Sequence, residues 1–220
     1  MSVILPYEMP ALVTTAPLDI HRSTVLPEWV DWNGHMNLAF YVTAFDQASG
    51  AFMRNVGLGR RYVDGKHGMT FVLETHVTYD REMKGGAPMR FTTQLLDRDA
   101  KRVHLFHEMY HADEGYLAAT NETIVMNIDF ASRRSAPWPQ QAAERLEAVW
   151  TAHQHLPRPA KAGRVMGLPK SSDRGATRGG QIEFWGPGVG RGPLIGRPQP
   201  RPGQDRGGAM KLAVDTPPTP

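Results

Sequence analysis

At 220 residues and without cysteine, the chain allows one domain, or one domain with an appendage, and excludes a disulfide framework or a thiolate metal site. Its net charge of +3 is uneven: residues 171–220 carry seven Lys/Arg against four Asp/Glu, while residues 1–170 carry 18 of each sign. A neutral body argues against a nucleic-acid footprint. No apolar run approaches the roughly 18 residues that span a bilayer, and residues 1–22 lack the basic start and apolar core of a secretory signal. A soluble, cytoplasmic protein is expected, in a reducing compartment that suits a chain without cysteine.

Residues 1–18 are punctuated by proline and read as an N-terminal arm. An extended segment follows, and Pro27, which cannot donate to a ladder, marks its end or an edge. From Leu38 to about Val56 the apolar residues Leu38, Tyr41, Val42, Phe45, Ala48, Phe52 and Val56 recur at three- and four-residue steps. That spacing predicts a helix with one broad apolar stripe, stopped by Gly57 and Gly59. Residues 60–68 read as a polar connection.

Four strands are then expected, near residues 70–79, 89–96, 102–111 and 116–129. In the first, strict alternation sets Phe71, Leu73, Val77 and Tyr79 on one face and Val72, Glu74, His76 and Thr78 on the other. Lys84-Gly85-Gly86 reads as the turn of a hairpin, and the short loops force antiparallel neighbours. A second helix, about 139–155, has only a narrow apolar stripe and should pack outside. Residues 19–157 thus form one α+β domain with an outer C-terminal helix. In the tail, 158–220, the last fifty residues hold eleven Gly and eight Pro; such a segment cannot bury enough apolar surface to offset its ordering entropy, and disorder is expected.

Chemistry concentrates in residues 31–41, Asp-Trp-Asn-Gly-His-Met-Asn-Leu-Ala-Phe-Tyr. A carboxylate, two amides, an imidazole and a phenol stand immediately before a helix start. Orphan N–H groups and the positive helix end there can polarise a carbonyl. Asn37 suits the N-cap, and Tyr41 falls on the core stripe. A run of histidines, His104, His107 and His111, suggests a metal, but on a strand His104 points opposite to the other two, so no metal site is expected.

The strand-helix-strands order, together with Asp31, Gly34 and Tyr41 in an Asp-x-x-Gly-(six residues)-Tyr spacing, resembles the hotdog-fold acyl-CoA thioesterases of the 4-hydroxybenzoyl-CoA thioesterase branch. Asp31-x-Asn33-x-His35-x-Asn37 is similar to the Asp-x-Asn-x-His pattern of acyl-carrier-protein thioesterases. The resemblance implies a hotdog fold, a long central helix wrapped by an antiparallel sheet of about five strands. It implies Asp31 as nucleophile or as general base on water, with Asn33 and His35 orienting it. Backbone N–H groups around Gly34 to Met36, with the positive start of the Leu38 helix behind them, would form the oxyanion site.

Hotdog enzymes build their sites between subunits, so a homodimer or homotetramer is implied, with Glu74 and His76 as substrate contacts. Segments 74–79 and 100–107 further resemble the thioesterases of carnitine breakdown that release betaine from betainyl-CoA. A quaternary ammonium is bound by aromatic faces. Trp32 and Tyr79 are candidates among six aromatics that include Trp29, Phe71, Phe106 and Tyr110. The implied partner is an acyl-CoA, with no organic cofactor and no metal. The alternative is a non-catalytic acyl-CoA-binding hotdog module acting as a sensor or partner-binding domain.

Overall fold

A computed structural model describes residues 5–168; most of the Gly/Pro/Arg-rich tail lies outside them. Strand β1, Leu18–Thr24, leads through a 3-10 turn at Pro27–Trp29 to helix α1, Leu38–Asn55. Asn37 caps α1, its side chain accepting from Ala39 N at 3.0 Å. A short helix α2, Arg60–Asp64, breaks what composition suggests is a plain connection. The reason is Tyr62, a buried ring whose hydroxyl donates to Asn127 Oδ1 at 2.9 Å.

Then come β2, Met69–Tyr79, β3, Pro88–Arg98, β4, Arg102–His111, β5, Leu117–Ile128, and the outer helix α3, Gln140–His153. All pairings are antiparallel, in the order β1-β3-β4-β5-β2. The five-stranded sheet and its long helix match the hotdog architecture that the family resemblance implies. No helix among the described residues is long and apolar enough to cross a membrane.

Two expectations about β2 are corrected. It forms no hairpin with β3, because β2 pairs with β5 at the sheet's edge and β3 lies beyond β4. The eight residues between Tyr79 and Pro88 cross three strand spacings of about 4.8 Å, well within their reach. They suffice because β2 and β3 run in opposite senses.

The strand also carries a bulge: Val72 faces Val125 and Glu74 faces Ile124, leaving Leu73 as an extra residue. One extra residue inverts the alternation beyond it. Phe71 therefore shares the outer face with Glu74, His76 and Thr78, and Val72 shares the helix-facing side with Val77 and Tyr79.

Helix α1 lies on β1, β3, β4 and β5. Tyr41, Phe45, Ala48, Phe52 and Val56 of its stripe are buried, but Leu38 and Val42 stay 66% and 41% exposed, because β2 lies largely beyond the helix. The core falls into two apolar clusters, one around Phe52, Leu95, Leu105 and Leu146, the other around Phe45, Met89, Phe91 and Met109.

Between the clusters runs a buried polar belt of Ser49, Thr93, His107, Asn121 and Thr123. His107 is at its centre, with Nε2 3.0 Å from Ser49 Oγ and Nδ1 2.9 Å from Thr93 Oγ1. Both ring nitrogens are thus satisfied, as burial of a polar ring requires. His104 takes the opposite face, 2.8 Å from Glu122, so the histidine run separates as strand alternation demands.

Helix α3 buries Ala142, Leu146, Val149 and His153. His153 Nδ1 accepts from Leu95 N at 2.9 Å while Nε2 donates to Thr15 O at 2.8 Å, which defines a neutral tautomer. The N-terminal arm is tied down through Asn55, which bonds Val13 by both its amide atoms. At the other end the compact part runs past residue 157: Gly163 N donates to Glu122 Oε2 at 2.7 Å, and Lys161 pairs with Asp80. Residues 158–163 thus have polar partners on the outer sheet face.

Candidate active site

The chain before α1 is folded into a tight turn by its own backbone. Asp31 N donates to His35 O at 2.9 Å and Gly34 N to Asp31 O at 3.0 Å. Gly34 has φ +82°, and a Cβ built there meets nothing within 4 Å. Glycine is therefore required by the left-handed backbone, and the space above it is open. Asp31 Oδ1 accepts from Asn33 N at 2.8 Å, an Asx turn that holds the carboxylate at the mouth of the turn. Its second oxygen has no partner among the described residues. Trp32 is 97% exposed at the tip.

A second segment, the 80–87 crossover, clamps this turn. Met83 is fully buried; its carbonyl accepts from Met36 N at 2.8 Å, and its N–H donates to the Tyr41 hydroxyl at 3.1 Å. Burial first of all pushes the Tyr41 phenol up to about 12, so it stays protonated and acts as a strut in the core. His35 bridges to Lys84, and its Nε2 lies 3.2 Å from Glu82 Oε1. Tyr116 donates to Glu82 O at 3.0 Å. Sequence reasoning misses Glu82 and Met83, because Lys84-Gly85-Gly86 reads as an ordinary turn. The charged Asp80-Arg81-Glu82 run is the one signal that the segment does more.

These contacts engage some backbone N–H groups of the segment and leave others open. The Gly34 and Met36 N–H groups are committed to Asp31 O and Met83 O, so neither is free as the turn stands. The His35 and Leu38 N–H groups have no acceptor among the described residues. Leu38 opens α1, where the helix dipole adds positive potential. The N–H groups of this segment that are unengaged are thus those of His35 and of the helix start, while those of Gly34 and Met36 hold the turn together.

Of the expected strand contacts, the structure brings Tyr79 to the turn and not Glu74 or His76. Tyr79 packs edge-to-face on Tyr41 with ring centroids 5.2 Å apart, and its hydroxyl lies 3.5 Å from Leu38 O. The Leu73 bulge turns Glu74 and His76 to the outer face, opposite Ile124 and Glu122. Within one chain they cannot reach the turn before α1.

Residues 25–146 match the family model described as the thioesterase-like superfamily. The chain is 40% identical over 152 residues to a betainyl-CoA thioesterase of Pseudomonas aeruginosa, covering 69% of this chain and 96% of that one. It is 32% identical to an L-carnitine dehydrogenase/betainyl-CoA thioesterase of Rhizobium meliloti, of whose length it spans only 32%. A hypothetical protein of Staphylococcus aureus, solved in complex with CoA, superposes with a TM-score of 0.65 at 29% identity over 70% of this chain and 98% of that one. Carrying the five-stranded sheet, its central helix and a family match that takes in the whole turn before α1, the chain belongs to the thioesterase-like superfamily.

Proposed function

We propose that the protein hydrolyses a short acyl-CoA thioester, with betainyl-CoA as the preferred substrate and betaine and CoA as products. The observation that carries the reading is the Asp31 carboxylate, one oxygen held by Asn33 N–H and the other free, in the same short segment before α1 as the uncommitted N–H groups of His35 and Leu38. Attack by that free oxygen on the thioester carbonyl forms a mixed anhydride and expels CoA thiolate; water then cleaves the anhydride. Alternatively the carboxylate takes a proton from water, which attacks the carbonyl directly. In either route negative charge develops on the carbonyl oxygen, where backbone donors and the helix end stabilise it most. The name of the Pseudomonas relative supports the choice of acyl group.

Thiol release across a series of acyl-CoA esters tests this. Betainyl-CoA is expected to exceed acetyl-, propionyl- and butyryl-CoA in kcat/KM. An uncharged ester in first position removes the substrate claim, and tight CoA-ester binding without turnover makes the protein a binding module instead.

The same reading includes a homodimer formed through β2. Phe71, Val72 and Leu73 are 44%, 51% and 49% exposed on an edge strand, and a long apolar edge is left open only where another strand covers it. Leu73→Lys, at the bulge, is expected to convert the dimer to monomer in sedimentation velocity at micromolar concentration. A wild-type monomer, or a variant dimer of unchanged affinity, counts against pairing through this edge.

A further inference from the structure

A trimethylammonium group needs an aromatic face within about 6 Å, and the fold removes five of the six aromatic residues that sequence puts forward. Trp29 is buried and stacked on Phe40 at 5.5 Å. Phe71, Phe106 and Tyr110 lie on the sheet face turned away from α1. The Arg133 and Arg90 guanidinium groups stand over the Phe71 and Tyr110 rings at 5.8 and 4.6 Å, so a second cation there is repelled. Trp32 is almost wholly exposed at the tip of its turn, and among the described residues no neighbouring ring within stacking distance holds its face toward the site.

Tyr79 remains. It ends β2 on the helix-facing side and keeps 46% of its surface exposed. A T-shaped contact with Tyr41 at 85° covers at most one ring face. The substrate's own chemistry makes its position matter. In a betaine thioester a single methylene separates the cationic nitrogen from the reacting carbonyl, so the receptor for the cation must adjoin the site that polarises that carbonyl. The Tyr79 hydroxyl lies 3.5 Å from Leu38 O, which puts the ring beside the first turn of α1. The positive helix end there disfavours a cation, and the negative face of a ring, with the Asp31 carboxylate in the same turn region, offsets it.

We infer that Tyr79 determines specificity for a quaternary-ammonium acyl group by presenting its ring face to the trimethylammonium. The inference rests on the thioesterase reading above and adds to it the residue that selects the charge. It is tested by comparing betainyl-CoA with 3,3-dimethylbutyryl-CoA, which keeps the shape but has carbon in place of the charged nitrogen. In the Tyr79→Leu variant, kcat/KM for betainyl-CoA is expected to fall about 3- to 30-fold while that for the neutral isostere stays near its wild-type value. The Tyr79→Phe variant keeps the wild-type ratio, since the face and not the hydroxyl binds the cation. Activity on the isostere also reports that each variant is folded. An unchanged ratio in Tyr79→Leu, equal losses on both esters, or a phenylalanine variant that behaves like leucine overturns the role of Tyr79 alone. Wild-type preference for the isostere overturns the betaine reading itself, and Tyr79 with it.

Discussion

Asp31→Asn is expected to lower kcat for acyl-CoA hydrolysis by about 10²- to 10⁴-fold, with KM changed far less. The asparagine carboxamide keeps an oxygen for Asn33 N–H, so the Asx turn survives and the loss reports on the carboxylate itself. Asp31→Ala removes both and should be at least as slow. Glu82→Gln is a milder change. It keeps a partner for His35 across 3.2 Å but removes the charge, and a loss of about 10-fold is expected. If Glu82 acts as a positioning residue through His35, then Glu82→Gln combined with His35→Gln costs no more than His35→Gln alone. The Glu82 variant then also changes the pH profile of kcat/KM, which a purely structural defect leaves alone. Near wild-type turnover in both Asp31 variants would refute the role of that residue, and additive losses with an unaltered pH profile would remove Glu82 from the site.

The second large effect is on stability. Burial, with a smaller push from His21, holds the His107 imidazole down at about 3. Burial likewise lowers His153, and it lowers His21 with help from Arg54 and Arg22. Below pH 6.5 the unfolded chain takes up protons that the folded chain refuses, so stability present above that pH is lost as pH falls. For His107 alone the slope is about 1.4 kcal/mol per pH unit, and the loss approaches about 4–5 kcal/mol by pH 3.

The depressed carboxyl groups of Asp19, Asp99 and Asp129 add their own losses only as the pH falls below their ordinary value. The interval from pH 6.5 to about 4.5 therefore isolates the histidines. Urea denaturation at stepped pH should show unfolding free energy falling across that interval, more steeply than one histidine explains. In His107→Gln, which can still hydrogen-bond within the belt, the fall becomes shallower by about one proton's worth. A flat wild-type profile over the interval contradicts the buried, neutral histidine.

The helix over residues 38–55 and the strands at 102–111 and 117–128 are legible because each carries a local period: apolar residues at three- and four-residue steps in one, alternation in the others. The turn before α1 is legible for the same reason, since Asp31, Gly34 and Asn37 each serve a contact a few residues away. Contacts of this range are written in neighbouring residues, and a sequence pattern can reach them.

Glu82 and Met83 are a different case. They meet His35, Met36 and Tyr41 only because β2 pairs with β5 instead of β3, and beyond the charged Asp80-Arg81-Glu82 run no local signal in residues 80–87 sets a crossover apart from a hairpin. The Leu73 bulge has the same character. It is one unpaired residue between two register contacts, invisible to strict alternation, yet it sends Glu74 and His76 outward and leaves Tyr79 beside α1. By itself the sequence determined the turn before α1, the central helix and the α+β class, all products of short-range periodicity and capping. Strand order and register were decided only in three dimensions, because they depend on which distant edges bury their apolar faces together, and they select which residues meet at the turn.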